Sequence, residues 1–326
     1  MSCFERYLVL HRSLSRRQSH GQGRGEAGCQ DYGTKAVEEQ PSWRPPRPVE
    51  EDIWKPICVE TNGEGKEQLC GDMLVEVYDV RVQLHGIRSG NIHGNLKLNC
   101  QCFRPVLFNR DREHVLMIRE MDSLPLDGPD VAPLGFDPVN ISVNLKIDDD
   151  ELCKGFVHWD PNEDRSDVWL DHEIPGKNGS VLVTYGVMSD ACLAELDVKL
   201  SESIETPLRI YGDIVVYIDN MQYLRYSVFS KMSHDCSTIK PLDCIPLSRS
   251  LFCCPCSSSL VVKADLWNSD TGKPLARGAL LFPLEYYAEL VGTLGDQNIN
   301  MIQVKVNWLF HRDHPKTYAA IFTGLI

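Results

Sequence analysis

Residues Asn140-Ile-Ser-Val-Asn-Leu-Lys-Ile147 alternate without a break, with Ile141, Val143, Leu145 and Ile147 on one side and Asn140, Ser142, Asn144 and Lys146 on the other. Successive side chains of an extended chain point to opposite faces, so this run buries its apolar half only as a strand with one wet face. The same two-residue period returns in Met73–Leu84, in Asn91–Leu98, in Cys192–Leu200 and in Met301–Trp308, and no segment sustains the period of a long amphipathic helix. Strands with one apolar face each must bury it against another sheet. That requirement predicts an all-β chain of antiparallel β-sandwich architecture. Within Met73–Leu84 the apolar phase changes near Asp79, from Val75 and Val77 to Val80, Val82 and Leu84, as a β-bulge would require. Residues 160–179 read as a loop in which Val168 to Leu170 dock. Asn178-Gly179 then turns the chain into a strand over Ser180–Met188, and Cys192–Leu200 forms a separate strand.

The stretch Leu208–Leu284 reads as a second copy of Met73–Trp159. His93-Gly94, Leu107-Phe108, Pro125-Leu126 and Lys154-Gly155-Phe156 in the first correspond to Tyr211-Gly212, Val228-Phe229, Pro246-Leu247 and Arg277-Gly278-Ala279 in the second, at offsets of 118 to 123 residues. So small a drift is what duplicated β modules would give. The expected organisation is a disordered, polar and proline-rich tail over 1–52, a first β-sandwich copy over 73–190 and a second over 191–326, either in tandem or as one composite sandwich. The tail (RSLSRRQSHGQGRGEAGCQ, then four prolines between Pro41 and Pro48) has too little apolar area to offset its ordering entropy.

Charge and cysteine usage narrow the class of partner. A formal net charge of −13 disfavours a broad phosphate-binding surface, so no nucleic-acid partner and no attraction to an anionic membrane are expected. No apolar run approaches the twenty residues of a membrane span, and no basic leader is joined to a long apolar run. Thirteen cysteines, an odd number in a chain of 326 residues, are not the framework of a small secreted scaffold. The expected location is therefore a reducing one, the cytoplasm.

From Met73 onward the chain resembles a family from grasses and their relatives catalogued as domain of unknown function 6598. The resemblance is carried, in order, by IHGNLKL, LFNRDREHVLMI, DSLPLDGPD, FDPVNISVNLKI with its acidic turn, ELCKGFV, SSSLVVKADLW and IQVKVNW. It covers roughly residues 73–310. Where the family's turn is L-x-L-T-G-P, this chain has Leu124-Pro-Leu-Asp-Gly-Pro129. The resemblance implies a β-rich domain and supplies no catalytic residues. Some relatives carry a ribosome-inactivating N-glycosidase domain, which places the family near stress or defence biology. The short polar segment before Met73 does not provide that domain's Glu and Arg site.

Several clusters invite a chemical reading. Cys236, Cys244, Cys253, Cys254 and Cys256, with His234, are thiols at short spacing. However, Cys253, Cys254 and Cys256 lack the paired C-x₂₋₄-C spacing of a zinc knuckle and suit small apolar residues in a tight β turn. His93 with Cys100 or Cys102, and His158 with Cys153, lie near in sequence. The odd separation of 153 and 158 puts those two on opposite faces of a strand, and His85 reads as a loop residue. Asp148 to Glu151, with Asp79, Asp219, Asp265 and Asp270, resemble in placement the carboxylate loops that hold calcium on C2-type sandwiches, or else solvate the strand ends. Arg110-Asp-Arg112 with Glu113 and His114 form a mixed-charge turn. No phosphate loop, G-x-S-x-G or H-E-x-x-H is present. The function expected is therefore a non-catalytic recognition or scaffold module for a protein or small polymer, with no cofactor, no metal and no catalytic residue assigned. The alternatives are an enzyme with a Cys/His site in a cleft between the modules, and a calcium-responsive C2-like module.

Overall fold

The computed structural model describes residues 56–59, 71–86, 88–100, 104–129, 131, 133–222, 224–285, 288–296 and 299–309. The tail expected over 1–52 lies outside the described residues, as does Cys102. Described in chain order, the strands are β1 (Ile57–Cys58), β2 (Asp72–Leu84), β3 (Ser89–Asn99), β4 (Val106–Arg110), β5 (Leu116–Arg119), β6 (Val139–Ile147), β7 (Asp150–Trp159), β8 (Val168–Pro175) and β9 (Gly179–Leu200). They continue with β10 (Leu208–Ile218), β11 (Arg225–Lys231), β12 (Ser237–Ile239), β13 (Leu251–Pro255), β14 (Leu260–Asn268), β15 (Pro274–Phe282), β16 (Glu289–Asp296) and β17 (Ile299–Leu309). The helices among the described residues are two single 3₁₀ turns, and none is long and apolar enough to cross a membrane.

Among the described residues the strands form three sheets. The first runs β4-β3-β6-β7 with β5 beside β3. The second runs β13-β9-β17-β16 with β2 and β8 also on β9. The third runs β1-β15-β14-β10-β11 with β12 beside β10. The all-β expectation holds, and pairing is antiparallel except for the two-residue match of β1 with β15. The segment expected to be a loop contains β8, which pairs with β9 from Val168↔Val187 to Pro175↔Ser180. Only Ile174 of β8 is buried, so the strand carries too little apolar alternation to be read from its residues.

Ser180–Met188 and Cys192–Leu200 are one strand of 22 residues, and the position where the two expected copies meet lies inside it. The strand changes allegiance there. Val181, Val183, Tyr185 and Val187 enter one core with Val143, Leu145 and Trp159, whereas Cys192, Ala194, Leu196, Val198 and Leu200 enter another with Ile214, Val262 and Trp308. The inward positions switch from odd to even, and the exposed Ser189 and Asp190 mark the switch. In β2 the register shifts between Val77 and Asp79, where the change of apolar phase predicts a bulge. Val75, Val77, Val80 and Val82 face the first core, while Leu74, Glu76 and Tyr78 face the second half of the chain.

The paired sequence marks occupy matching ladder positions. Gly94 lies opposite Leu145 with φ +124°, and Gly212 lies opposite Leu266 with φ +113°. A Cβ on Gly94 would sit 2.2 Å from the Asn144 carbonyl oxygen, and one on Gly212 would sit 2.0 Å from that of Asp265. Both positions thus require glycine for the same two reasons, the positive φ and the close backbone approach. Two further pairs follow the same offset. Phe108 opposes Leu96 as Phe229 opposes Ile214, and Gly155 opposes Val143 as Gly278 opposes Ala264.

Candidate functional site

The even face of β2 carries a carboxylate where the two halves meet. Glu76 is fully buried, forms an ion pair with the equally buried Arg249, and accepts the backbone N–H of Cys253 at 2.7 Å. Arg249 also donates to the carbonyls of Leu251 at 2.7 Å and Val77 at 3.2 Å. Its guanidinium also lies over the rings of Tyr226 and Phe252, 4.8 and 5.0 Å from their centroids. Tyr78 stacks on Tyr226 at 5.6 Å. Burial raises the Tyr226 and Tyr78 phenols well above their ordinary pKa, with Glu76 adding to the effect. Breaking a buried pair of this kind costs about 3–5 kcal/mol because the remaining charge is stranded. The network therefore fixes how β2 meets the β13 region, and the buried Tyr226 hydroxyl is its one side-chain polar atom without a hydrogen-bond partner among the described residues.

In front of that network lies a cleft of about 260 Å³, lined by Asp167, Trp169, Met188 and Asp190 on one side and by Asn220, Met221, Pro255 and Ser258 on the other. The cleft is formed where β8 and β9 meet the 3₁₀ turn at Asn220 and the end of β13. Trp169 is held in place from behind. Its cross-strand partner is Gly186, where a Cβ would meet the indole at 2.1 Å, and Tyr78 packs edge-on against it at 4.9 Å. Asp167, with φ +60°, accepts the N–H of Ser189 at 2.8 Å and its hydroxyl at 2.6 Å, while Asp190 accepts the N–H of Gly71. Across the cleft the Ser258 hydroxyl donates to Asn220 Oδ1 at 3.4 Å.

The cysteines singled out in the sequence are dispersed. Cys253 and Cys254 are buried on opposite faces of β13. Cys253 donates its thiol to the Val75 carbonyl at 3.5 Å, and the Cys254 carbonyl accepts the Cys192 thiol at 3.5 Å. Cys236 and Cys256 are half-buried and Cys244 is exposed. Burial raises the pKa of Cys253, with Glu76 adding to it. Burial likewise raises Cys254, and a hydrogen bond to Cys256 together with burial raises Cys192. These thiols are held as neutral packing groups. Among the described residues no three His, Cys, Asp or Glu side chains are grouped to hold a metal ion.

Cys153 and His158 lie on opposite faces of β7, as their odd separation predicts. Cys153 is buried, with its pKa pushed up to about 11 by burial and by Glu151, and His158 is exposed against Asn140 Oδ1 at 2.9 Å. His93 is buried and lies 3.7 Å from Asp149. Most of the turn carboxylates have a local partner. Asp148 accepts the Asn91 N–H at 3.1 Å, Asp149 pairs with Arg112 at 3.0 Å, and Asp79 pairs with Arg81. Asp265 pairs with Arg277 at 3.0 Å and Asp270 with Arg209 at 3.3 Å. Arg110 clamps Asp127 with two nitrogens, so the mixed-charge run is a turn tied to the Asp127-Gly-Pro129 corner.

The sequence reading missed Glu76, Arg249, Trp169 and the two cleft carboxylates. One signal was present: Glu76 shares its face of β2 with the apolar Leu74 and with Tyr78, so that face is not uniformly polar.

The family model described as domain of unknown function (DUF6598) matches residues 74–306. No curated protein matches the sequence. Among solved structures, the chain is similar to the human GIVD cytosolic phospholipase A2, with 12% identity over 76% of this chain and a TM-score of 0.26. It spans 31% of that enzyme's length. The two adjoining C2 domains of extended synaptotagmin 2 match with 10% identity over 79% of this chain and 98% of theirs, at a TM-score of 0.25.

Proposed function

The chain belongs to the DUF6598 family, and on that premise we propose that it is a non-catalytic recognition module that takes a protein or small polymer partner at the cleft where its two halves meet. The observation that carries this reading is Trp169, an indole clamped by Gly186 and Tyr78 and placed in a cleft that both halves line. A rigid aromatic at the centre of a concave site contributes contact area at little entropic cost, which is how recognition surfaces concentrate their affinity. The buried Glu76–Arg249 pair supports the reading from behind, because it holds the two walls of the cleft in register. The buried thiols of Cys253 and Cys254 on the adjoining strand have raised pKa values, which opposes their use as nucleophiles.

In this proposal residues 73–190 and 191–326 are two copies of one module joined through β9. The matching registers of Gly94 and Gly212, and of Phe108 and Phe229, support the duplication. The test is affinity capture from native tissue with the wild-type chain and with Trp169→Ala, with thermal unfolding followed on both. A partner recovered with the wild type and reduced at least tenfold with a folded Trp169→Ala chain is the expected result. Equal recovery with both would rule out the cleft as the site.

A further inference from the structure

We infer that the cleft takes the side chain of an arginine presented by a partner protein. This inference rests on the reading of the cleft as a recognition site, and it names the chemistry of what enters. The cleft combines a fixed indole, the thioethers of Met188 and Met221, and two carboxylates, Asp167 and Asp190, and no lysine, arginine or histidine lines it. Neither carboxylate has a cationic partner among the described residues, in contrast to Asp79, Asp127, Asp149, Asp265 and Asp270, each of which pairs with an arginine.

The hydrogen bonds that Asp167 and Asp190 do accept come from backbone N–H groups and from the hydroxyls of Ser189 and Ser166, so they orient the carboxylates without neutralising them. A planar guanidinium suits this combination. It stacks on an aromatic face, tolerates partial desolvation better than an ammonium, and donates in its own plane to carboxylates at its rim. Polarizable thioethers complete an apolar floor for the methylene stem. The volume, about 260 Å³, is of the order of one long side chain and far from a folded domain. The net charge of −13 draws a basic partner toward the surface, and the cleft then selects among cations by shape.

The test uses the full chain and two capped pentapeptides, Gly-Gly-Arg-Gly-Gly and the same peptide with citrulline, the uncharged isostere of arginine. The readout is the indole N–H resonance of Trp169, assigned by its loss in Trp169→Phe. Saturable movement of that resonance with the arginine peptide, at least tenfold weaker with citrulline, is the expected outcome. Asp167→Asn and Asp190→Asn each keep one oxygen for the backbone donor and remove the charge; at 167 the second oxygen becomes an NH2 that donates to the Ser189 hydroxyl, which then accepts. Each is expected to weaken the arginine peptide about fivefold while leaving thermal unfolding unchanged. Equal response to the two peptides, or an arginine response unchanged in both Asn variants, overturns the inference. If no peptide moves the resonance although Trp169→Ala abolishes tissue capture, the arginine assignment fails and the cleft reading stands. If capture is also unaffected, both fail.

Discussion

The outer face of the first sheet and the outer face of the third share a backbone plan and differ in chemistry. Across the first sheet one row reads Asn99, Asn140, His158, polar and hydrogen-bonded at the surface. The matching row of the third sheet reads Tyr217, Val261, Leu281, in which Tyr217 is buried and Val261 is 0% exposed. In the next row the contrast is one of exposure alone: Lys97 and Phe156 flank Ser142 as exposed residues in the first sheet, whereas in the third Val215 and Lys263 are half-buried and Ala279 is buried. What stays fixed is what the ladder itself demands, namely the glycine beside a neighbouring carbonyl and the inward apolar set. The outward positions are bound by no such constraint. The first sheet has a wet outer face, and the third carries a small apolar cluster of Tyr217, Val261 and Ala279 on its outer side.

The shared part of that comparison can be broken first, because it carries the largest effects. Gly94→Ala and Gly212→Ala each place a Cβ against a neighbouring carbonyl oxygen at a positive φ, so each is expected to cost about 2–4 kcal/mol in chemical denaturation. Gly272→Ala is the control. It also has positive φ, +65°, but nothing lies within 4 Å of the added carbon, so only about 1 kcal/mol is expected. Similar losses at 94 and 212, both well above the control, would sharpen the equivalence of the two sheets. A loss at one position that falls to the level of the control would break it.

The divergent part predicts an asymmetry between reciprocal swaps. Val261→Asn puts an amide into a fully buried position and is expected to destabilise by about 1–3 kcal/mol, since its donors and acceptor would lose water without gaining partners. Asn140→Val removes only a surface hydrogen bond to His158 and is expected to stay within about 1 kcal/mol of the wild type. Equal costs for the two substitutions would mean that the outer faces are alike after all.

This contrast also explains what could be read from the residues alone. The strand class, the bulge near Asp79 and the opposite facing of Cys153 and His158 follow from a two-residue period, and each is local. Val215, Tyr217 and Val261 confuse that period because they make β10 and β14 apolar on both faces, so no residue count tells which face is wet. β8 escaped notice for the opposite reason, having one buried residue. The site was less legible still. Glu76 and Arg249 lie 173 residues apart, and only the packing of β2 on the β13 region brings them together. Asp167 stands just before β8 and Asp190 beside Ser189 at the exposed switch within β9, and both stretches have the polar composition of any solvated turn. Their meaning comes from the cleft they share with Trp169 and from the absence of a cation in its lining.

The smallest effect tests whether the third sheet's outer face is dry in solution. Lys263 stands where the first sheet has Ser142, between Val215 and Ala279, and burial lowers its pKa, with Asp265 opposing the shift. A lysine whose folded value lies below its unfolded value holds fewer protons in the folded state between those two values. Stability contributed by this group therefore rises as the pH climbs through that window and levels off above the ordinary value of 10.5. Side-chain NMR should show Lys263 titrating below 10.5, and Lys263→Met should remove its share of the rise without touching the opposite trend set by buried thiols such as Cys153. In the Val261→Asn chain, water admitted to the row should move the Lys263 titration back toward the ordinary value. A wild-type Lys263 that titrates at 10.5 would mean the face is wet, and the difference between the two sheets would then be one of residue type without one of environment.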